Sequence, residues 1–240
     1  MKYEFIKQSF SKIIILVLAG LLELFFAYGM ITDNQERIAV SIGLFMVLTF
    51  GSILFISFEC ILTYSNDLKT KCSYMLFMTP HSTYTIIGAK ALSTIVQILF
   101  AGAIFIAIGF LDFTLIVAKY ADLSQMLDYL SQMFQIHIDY TDVLIVLAAV
   151  LSGWICTVLL AFFSITLSTT FLANKKGKGF VSFLIFLVLN YGISKVITLV
   201  LGSSMNYTRI DFVLNILITA IFAAITYIGT SWMLEEKVSL

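Results

Sequence analysis

The chain has 240 residues, of which 60% are hydrophobic and 12% charged, with 22 phenylalanines. Soluble domains carry roughly 25% charged residues, so this composition leaves too little polar surface for a water-soluble domain. Fourteen basic residues balance fourteen acidic ones, which gives no electrostatic footprint for nucleic acid.

Several runs exceed the roughly 18 apolar residues that mark a membrane-spanning helix. Met1 to Lys12 has the look of a signal-peptide n-region. No small-x-small cleavage site follows it, and Glu23 interrupts the apolar run, so the expectation is a retained span. The first predicted span covers residues 13–31, the second 38–64 and the third 84–117. The fourth covers 143–173, the fifth 180–201 and the sixth 212–234. The whole chain, 1–240, reads as a single all-α polytopic transmembrane domain without internal repeat.

Basic residues set the expected orientation. With the N-terminus inside, ten of the fourteen fall inside, Lys2, Lys69, Lys71, Lys90, Lys175 and Lys176 among them. Arg37, Lys119, Lys195 and Arg209 fall outside or near it. The outer segments are acidic, and Asp33, Glu36, Asp112, Asp122 and Asp142 are counted there.

Two elements are too short or too amphipathic to span. Between spans 2 and 3 a charged cluster, Asp67, Lys69 and Lys71, precedes Tyr74, Met75, Leu76, Phe77 and Met78. This fits a surface helix at about 67–79. Pro80, the only proline, lacks an N–H and disfavours helical geometry at Thr79, so it ends that helix. Ser82 or Thr83 can cap the next one. Between spans 3 and 4, Leu123, Met126, Leu127, Leu130, Met133 and Phe134 recur at helical spacing. They predict an outer amphipathic helix at about 122–135.

Chemistry-bearing constellations are sparse. Gly177-Lys178-Gly179 lacks the glycine spacing and terminal hydroxyl of a phosphate-binding loop. His81 and His137 fall on opposite sides of the expected topology, and Cys60, Cys72 and Cys156 lack metal-ligand spacing. No catalytic residue, metal ligand or cofactor is expected in this chain. Glu23, Glu59 and Lys195 are the intramembrane polar candidates, because a charge in hydrocarbon costs several kcal/mol and turns toward protein or water. Lys195 is expected to snorkel outward.

The charged cluster, the short apolar helix, Thr79-Pro80-His81-Ser82 and Gly88-Ala89-Lys90 resemble, in that order, the permease subunits of the ABC-2 transporter family. So does the C-terminal GTSWMLEEKVSL at 229–240. The resemblance implies a six-helix ABC-2 (type V exporter-like) permease fold in a bacterial cell membrane, with both termini cytoplasmic. It implies pairing with a second permease subunit, identical or related. Separate ABC ATPase subunits would bind ATP and Mg. The surface helix would then be the coupling helix, with Asp67, Lys69, Lys71, Tyr74 and Phe77 facing the ATPase and Thr79 and Pro80 orienting it. Where the family often carries a Gly-Thr pair, this chain has Lys71-Cys72-Ser73. Substrates of such exporters include peptides, antibiotics and lipid-like molecules. The competing readings are a non-transporting scaffold or sensor, and a membrane enzyme, which lacks a convergent catalytic cluster.

The lysine bias predicts that a cysteine placed at Gln132 is labelled from outside in intact cells. A cysteine placed at Gly177 is then labelled only after permeabilisation. Equal labelling at both positions rejects the six-span map.

Overall fold

The computed structural model describes residues 9–69, 82–120, 140–171, 177–202 and 209–237. These residues form six α-helices and no strand: α1 (Ser9–Ile31), α2 (Gln35–Lys69), α3 (Thr83–Tyr120), α4 (Tyr140–Phe171), α5 (Lys178–Leu201) and α6 (Arg209–Lys237). All six are long and apolar enough to cross a membrane, the signature of a multi-pass membrane protein. The residues of the predicted outer helix at 122–135 lie outside those described.

The helices run past the apolar stretches that announce them. α3 has 38 residues, about 57 Å at 1.5 Å per residue, against a hydrocarbon thickness of about 30 Å. Capping explains where some of them stop and start. Asn34 Oδ1 accepts the Arg37 N–H at 3.2 Å at the start of α2, the ordinary job of an N-cap side chain. Asp33 before it adopts a left-handed φ of 50°, which aspartate tolerates better than most residues. The α1–α2 turn is therefore tight, and a Cβ on Gly29 would meet Arg37 Cβ at 3.3 Å. Ser82 takes the cap position of α3, its Oγ 3.4 Å from the Thr85 nitrogen. Gly177, at φ 112°, caps α5 in a conformation that L side chains rarely adopt.

The chain divides into two compact units. The first comprises 1–62 and 92–112. Its core includes Ala19 and Phe26 of α1, Ile38 and Ile56 of α2, and Ile98 and Phe105 of α3. The Phe45 and Phe105 rings meet edge-on at 5.6 Å.

The second unit comprises 63–91 and 113–240. Within it α4 packs along α6 and against α5. The α4 and α6 interiors are rich in small hydroxyl residues: Ser164, Thr166, Ser168, Thr226, Thr230 and Ser231 are all buried. Small residues let backbones approach where lipid removes the hydrophobic driving force between helices. Most of these hydroxyls donate to a carbonyl one turn back, as Thr166 does to Phe162 and Ser231 to Tyr227, so they cost little in hydrocarbon. Others tie helices together. Thr219 Oγ1 donates to Ser152 Oγ at 3.0 Å, and Ser168 Oγ donates to the Lys178 carbonyl at 2.7 Å. At Gly229 an added Cβ would meet Phe163 Cε2 at 3.0 Å, so the Phe163 ring would have to give by a few tenths of an ångström to admit one.

Tyr64, on the last turns of α2, enters the same unit. Its hydroxyl lies 2.6 Å from Thr166 Oγ1 and its ring 4.3 Å from that of Phe162. Hydrogen bonds between membrane helices contribute about 0.6 kcal/mol on average and up to about 1.7 kcal/mol. A double-mutant cycle of Tyr64→Phe and Thr166→Val, read by unfolding in mixed micelles, should give a coupling energy in that range. A coupling indistinguishable from zero removes this bond from the forces that hold α2 to α4.

Candidate functional site

The first candidate site is the approach to residues 70–81, where the sequence places a coupling helix. Asp67 and Lys69 fall on α2, which runs to Lys69, so the spanning helix carries charges that the sequence reading assigned to a separate surface helix. The apolar run ends at Tyr64, but nothing there breaks a helix, and α2 continues. Lys71, Tyr74, Phe77, Thr79 and Pro80 lie outside the described residues.

Both sides of the gap are braced within the second unit. Lys90 Nζ of α3 binds Asp67 Oδ2 of α2 at 2.5 Å, and the lysine side chain is only 9% exposed. A charge-assisted bond of this kind is among the stronger polar contacts available. The beginning of α3 is tied to the end of α6. Tyr227 Oη donates to the Tyr84 carbonyl at 2.8 Å, and Thr83 Oγ1 donates to the Ser231 carbonyl at 3.3 Å. The Tyr84 and Tyr227 rings meet edge-on at 6.3 Å. Gly88 makes room for this contact, since a Cβ there would lie 3.1 Å from Tyr227 Oη. The glycine that the sequence reading used only as a family mark is therefore a packing requirement.

The second candidate site is the set of acidic side chains in the first unit. Glu59 Oε1 accepts the Ser11 hydroxyl at 2.8 Å, which joins α2 to the start of α1. Lys12 is close enough to act electrostatically on both Glu59 and Cys60. Glu59, an intramembrane polar candidate by sequence, thus meets a hydroxyl of the neighbouring helix. Beside this cluster is a small apolar cleft lined by Lys12, Leu16, Ile56, Gln97 and Phe105. It has about 40 Å³ open to a water-sized group, too little for a drug-sized ligand.

Glu23 has a partner that the sequence left unnamed. Its carboxyl group lies within hydrogen-bonding reach of that of Asp112 on α3. Asp112, counted above with the outer acidic residues, is only 8% exposed, and its Oδ1 is buried without a hydrogen-bond partner. Its burial against protein depends on how α1 and α3 pack, which hydropathy along the chain does not report. In the structure Glu23 and Asp112 each stand eight residues before the end of their helix, Ile31 and Tyr120.

Lys195 is exposed on α5, with its ammonium over the Tyr191 ring at 5.6 Å from the centroid. That ring belongs to the preceding turn of the same helix, and the contact is of the cation–π kind. Among the described residues no cluster of three or more histidine, cysteine, aspartate or glutamate side chains is placed to hold a metal ion.

Compared with family models, curated proteins and solved structures, the chain has no match.

The ion pair makes a non-additive prediction. Asp67→Asn or Lys90→Gln alone leaves the other charge in a largely buried place, whereas the double variant leaves none. The double variant should therefore lose less thermal stability than the two single losses added together. Strict additivity overturns the pairing as a support of this joint.

Proposed function

We propose that the chain is the membrane-spanning permease subunit of an ATP-driven transporter of the ABC-2 kind, an exporter of peptide, antibiotic or lipid-like molecules. In this reading it sits in a bacterial cell membrane with both ends in the cytoplasm and pairs with a second permease. Hydrolysis takes place in separate ATPase subunits that bind ATP and Mg.

The observation that carries the reading is the bracing around residues 70–81. A coupling element passes motion on only if the helices at its two ends move with it. The Asp67–Lys90 bond links the helix before the segment to the helix after it. The Tyr227–Tyr84 and Thr83–Ser231 bonds link that second helix to α6. A push on the segment would reach three helices at once. A plain connector between two spans has no need of such bracing. Further support comes from the order of Asp67, Lys69, Lys71, the apolar run at 74–78 and Pro80.

The test is purification of the full chain in lipid with any ABC ATPase found encoded beside it, measuring subunit retention and substrate-stimulated hydrolysis. Phe77→Ala should weaken ATPase association by roughly 10- to 100-fold, the equivalent of about 1.5–3 kcal/mol for one large buried side chain. Pro80→Ala should keep association but uncouple hydrolysis from transport, because the regained N–H lets the helix run on. Crosslinks from single cysteines at 67–78 to the ATPase should recur every three or four positions. Normal association and coupling in both variants, with no crosslinks, replaces the transporter reading with that of a membrane scaffold or sensor.

A further inference from the structure

The Glu23–Asp112 contact has a chemical requirement that no arrangement of the backbone can remove. An ionised carboxylate only accepts hydrogen bonds. Two carboxyl groups within hydrogen-bonding reach therefore bond to each other only when one of them carries a proton. If both were ionised at this distance, the repulsion would be weakly screened, since Asp112 is buried among protein.

Among the described residues, the charged groups nearest the pair in sequence do not take the place of that proton. The charged group acting on Glu23 is Asp112, and the hydrogen-bond partner of Asp112 is Glu23. From α2, the third helix of the unit, Glu36 and Arg37 stand in the first turn. Glu36 is exposed, and Arg37 lies over the Tyr28 ring at 5.0 Å from its centroid. On α3 itself Lys119 is two turns beyond Asp112. Asp112 Oδ1 is a second, independent mark: the side chain is more than nine-tenths buried, and this oxygen has no donor. It is an acceptor held in place for a proton-bearing group.

We propose that Glu23 and Asp112 form an intramembrane proton-binding site, in which one exchangeable proton shared between the two carboxyl groups joins α1 to α3. Binding adds a proton to one carboxylate and neutralises one of two adjacent negative charges. Release returns the proton to water and leaves two carboxylates that repel, which loosens the α1–α3 contact. Glu23 is only half-buried, so it is the side through which the proton exchanges. The site goes beyond the permease reading and does not depend on it, because it belongs to the chain alone and is tested without an ATPase.

The experiment uses the full chain in lipid nanodiscs without nucleotide or partner. Infrared spectra at neutral pH should show the carbonyl stretch of a protonated carboxylic acid that shifts in deuterated water. Glu23→Gln should lose this band, because the amide N–H donates to Asp112 without a proton being held. Raising the pH should lower the thermal stability of the wild type, since the folded state then gives up a proton that helps hold it together. Glu23→Gln, which keeps a donor at all pH values, should lack that part of the decline. A hydrophobic carbodiimide, which attacks protonated carboxyls, should label Glu23 or Asp112 in the wild type. Above the titration midpoint labelling should fall about tenfold per pH unit. This last measurement needs no variant, so a misfolded Glu23→Gln does not shield the proposal. A wild-type spectrum without the band overturns it, as does labelling that is absent or independent of pH. Loss of the band on adding sodium at constant pH overturns it in favour of a metal-cation site.

Discussion

Hydrocarbon offers no hydrogen-bond partner, and most of the buried hydroxyls among the described residues are arranged around that fact. A helix satisfies its own backbone, which is why the apolar runs become helices. Side chains are the harder part. The hydroxyls of Ser164, Thr166, Thr226 and Thr230 fold back onto their own helices. Those that reach across, such as Thr219 to Ser152 and Tyr64 to Thr166, then become the specific contacts between helices. Lipid is as apolar as leucine, so burial of leucine hardly distinguishes one packing from another, whereas a misplaced hydroxyl is left unsatisfied. Specificity in the second unit therefore rests on small polar residues.

The same constraint sorts the charged residues by consequence. Arg209 and Asp142, both well exposed, pair at 2.6 Å where water still competes, and such pairs contribute little. Lys90 and Asp67 pair where the lysine is nearly buried, so water competes less for this bond. Glu23 and Asp112 are two carboxyl groups within reach of each other, which the proposed shared proton would reconcile. Three pairs at three levels of solvation thus have three characters: an exposed clasp, a buried tie and a titratable contact.

These ties also bear on motion. The long helices α2 and α3 exceed the hydrocarbon thickness, and the residues just beyond their apolar runs are held to their neighbours. If the chain is driven from below by a partner, the joint around 70–81 is where a local push would spread to α2, α3 and α6. A carboxyl contact between α1 and α3 would add a second control on α3, responsive to protons rather than to nucleotide.

The sequence by itself determined that the chain is helical and crosses a membrane six times in prospect, because helix content and lipid burial depend on long apolar runs that any window along the chain detects. It also pointed to Glu23 and Glu59, since a carboxylate inside such a run is costly wherever it faces. It placed Ser82 or Thr83 at the start of α3, because capping is local chemistry. Only the tertiary structure decided the partners. Ser11 is 48 residues from Glu59 and Asp67 is 23 from Lys90, and no periodicity relates residues so far apart. That Asp112 meets Glu23 was not legible either, because hydropathy averages over a window and does not report which side chains face each other. Gly88 looked like a family mark until the Tyr227 hydroxyl was found against it. Which polar groups meet depends on how the helices cross, and that is set by packing in three dimensions, not by any stretch read alone.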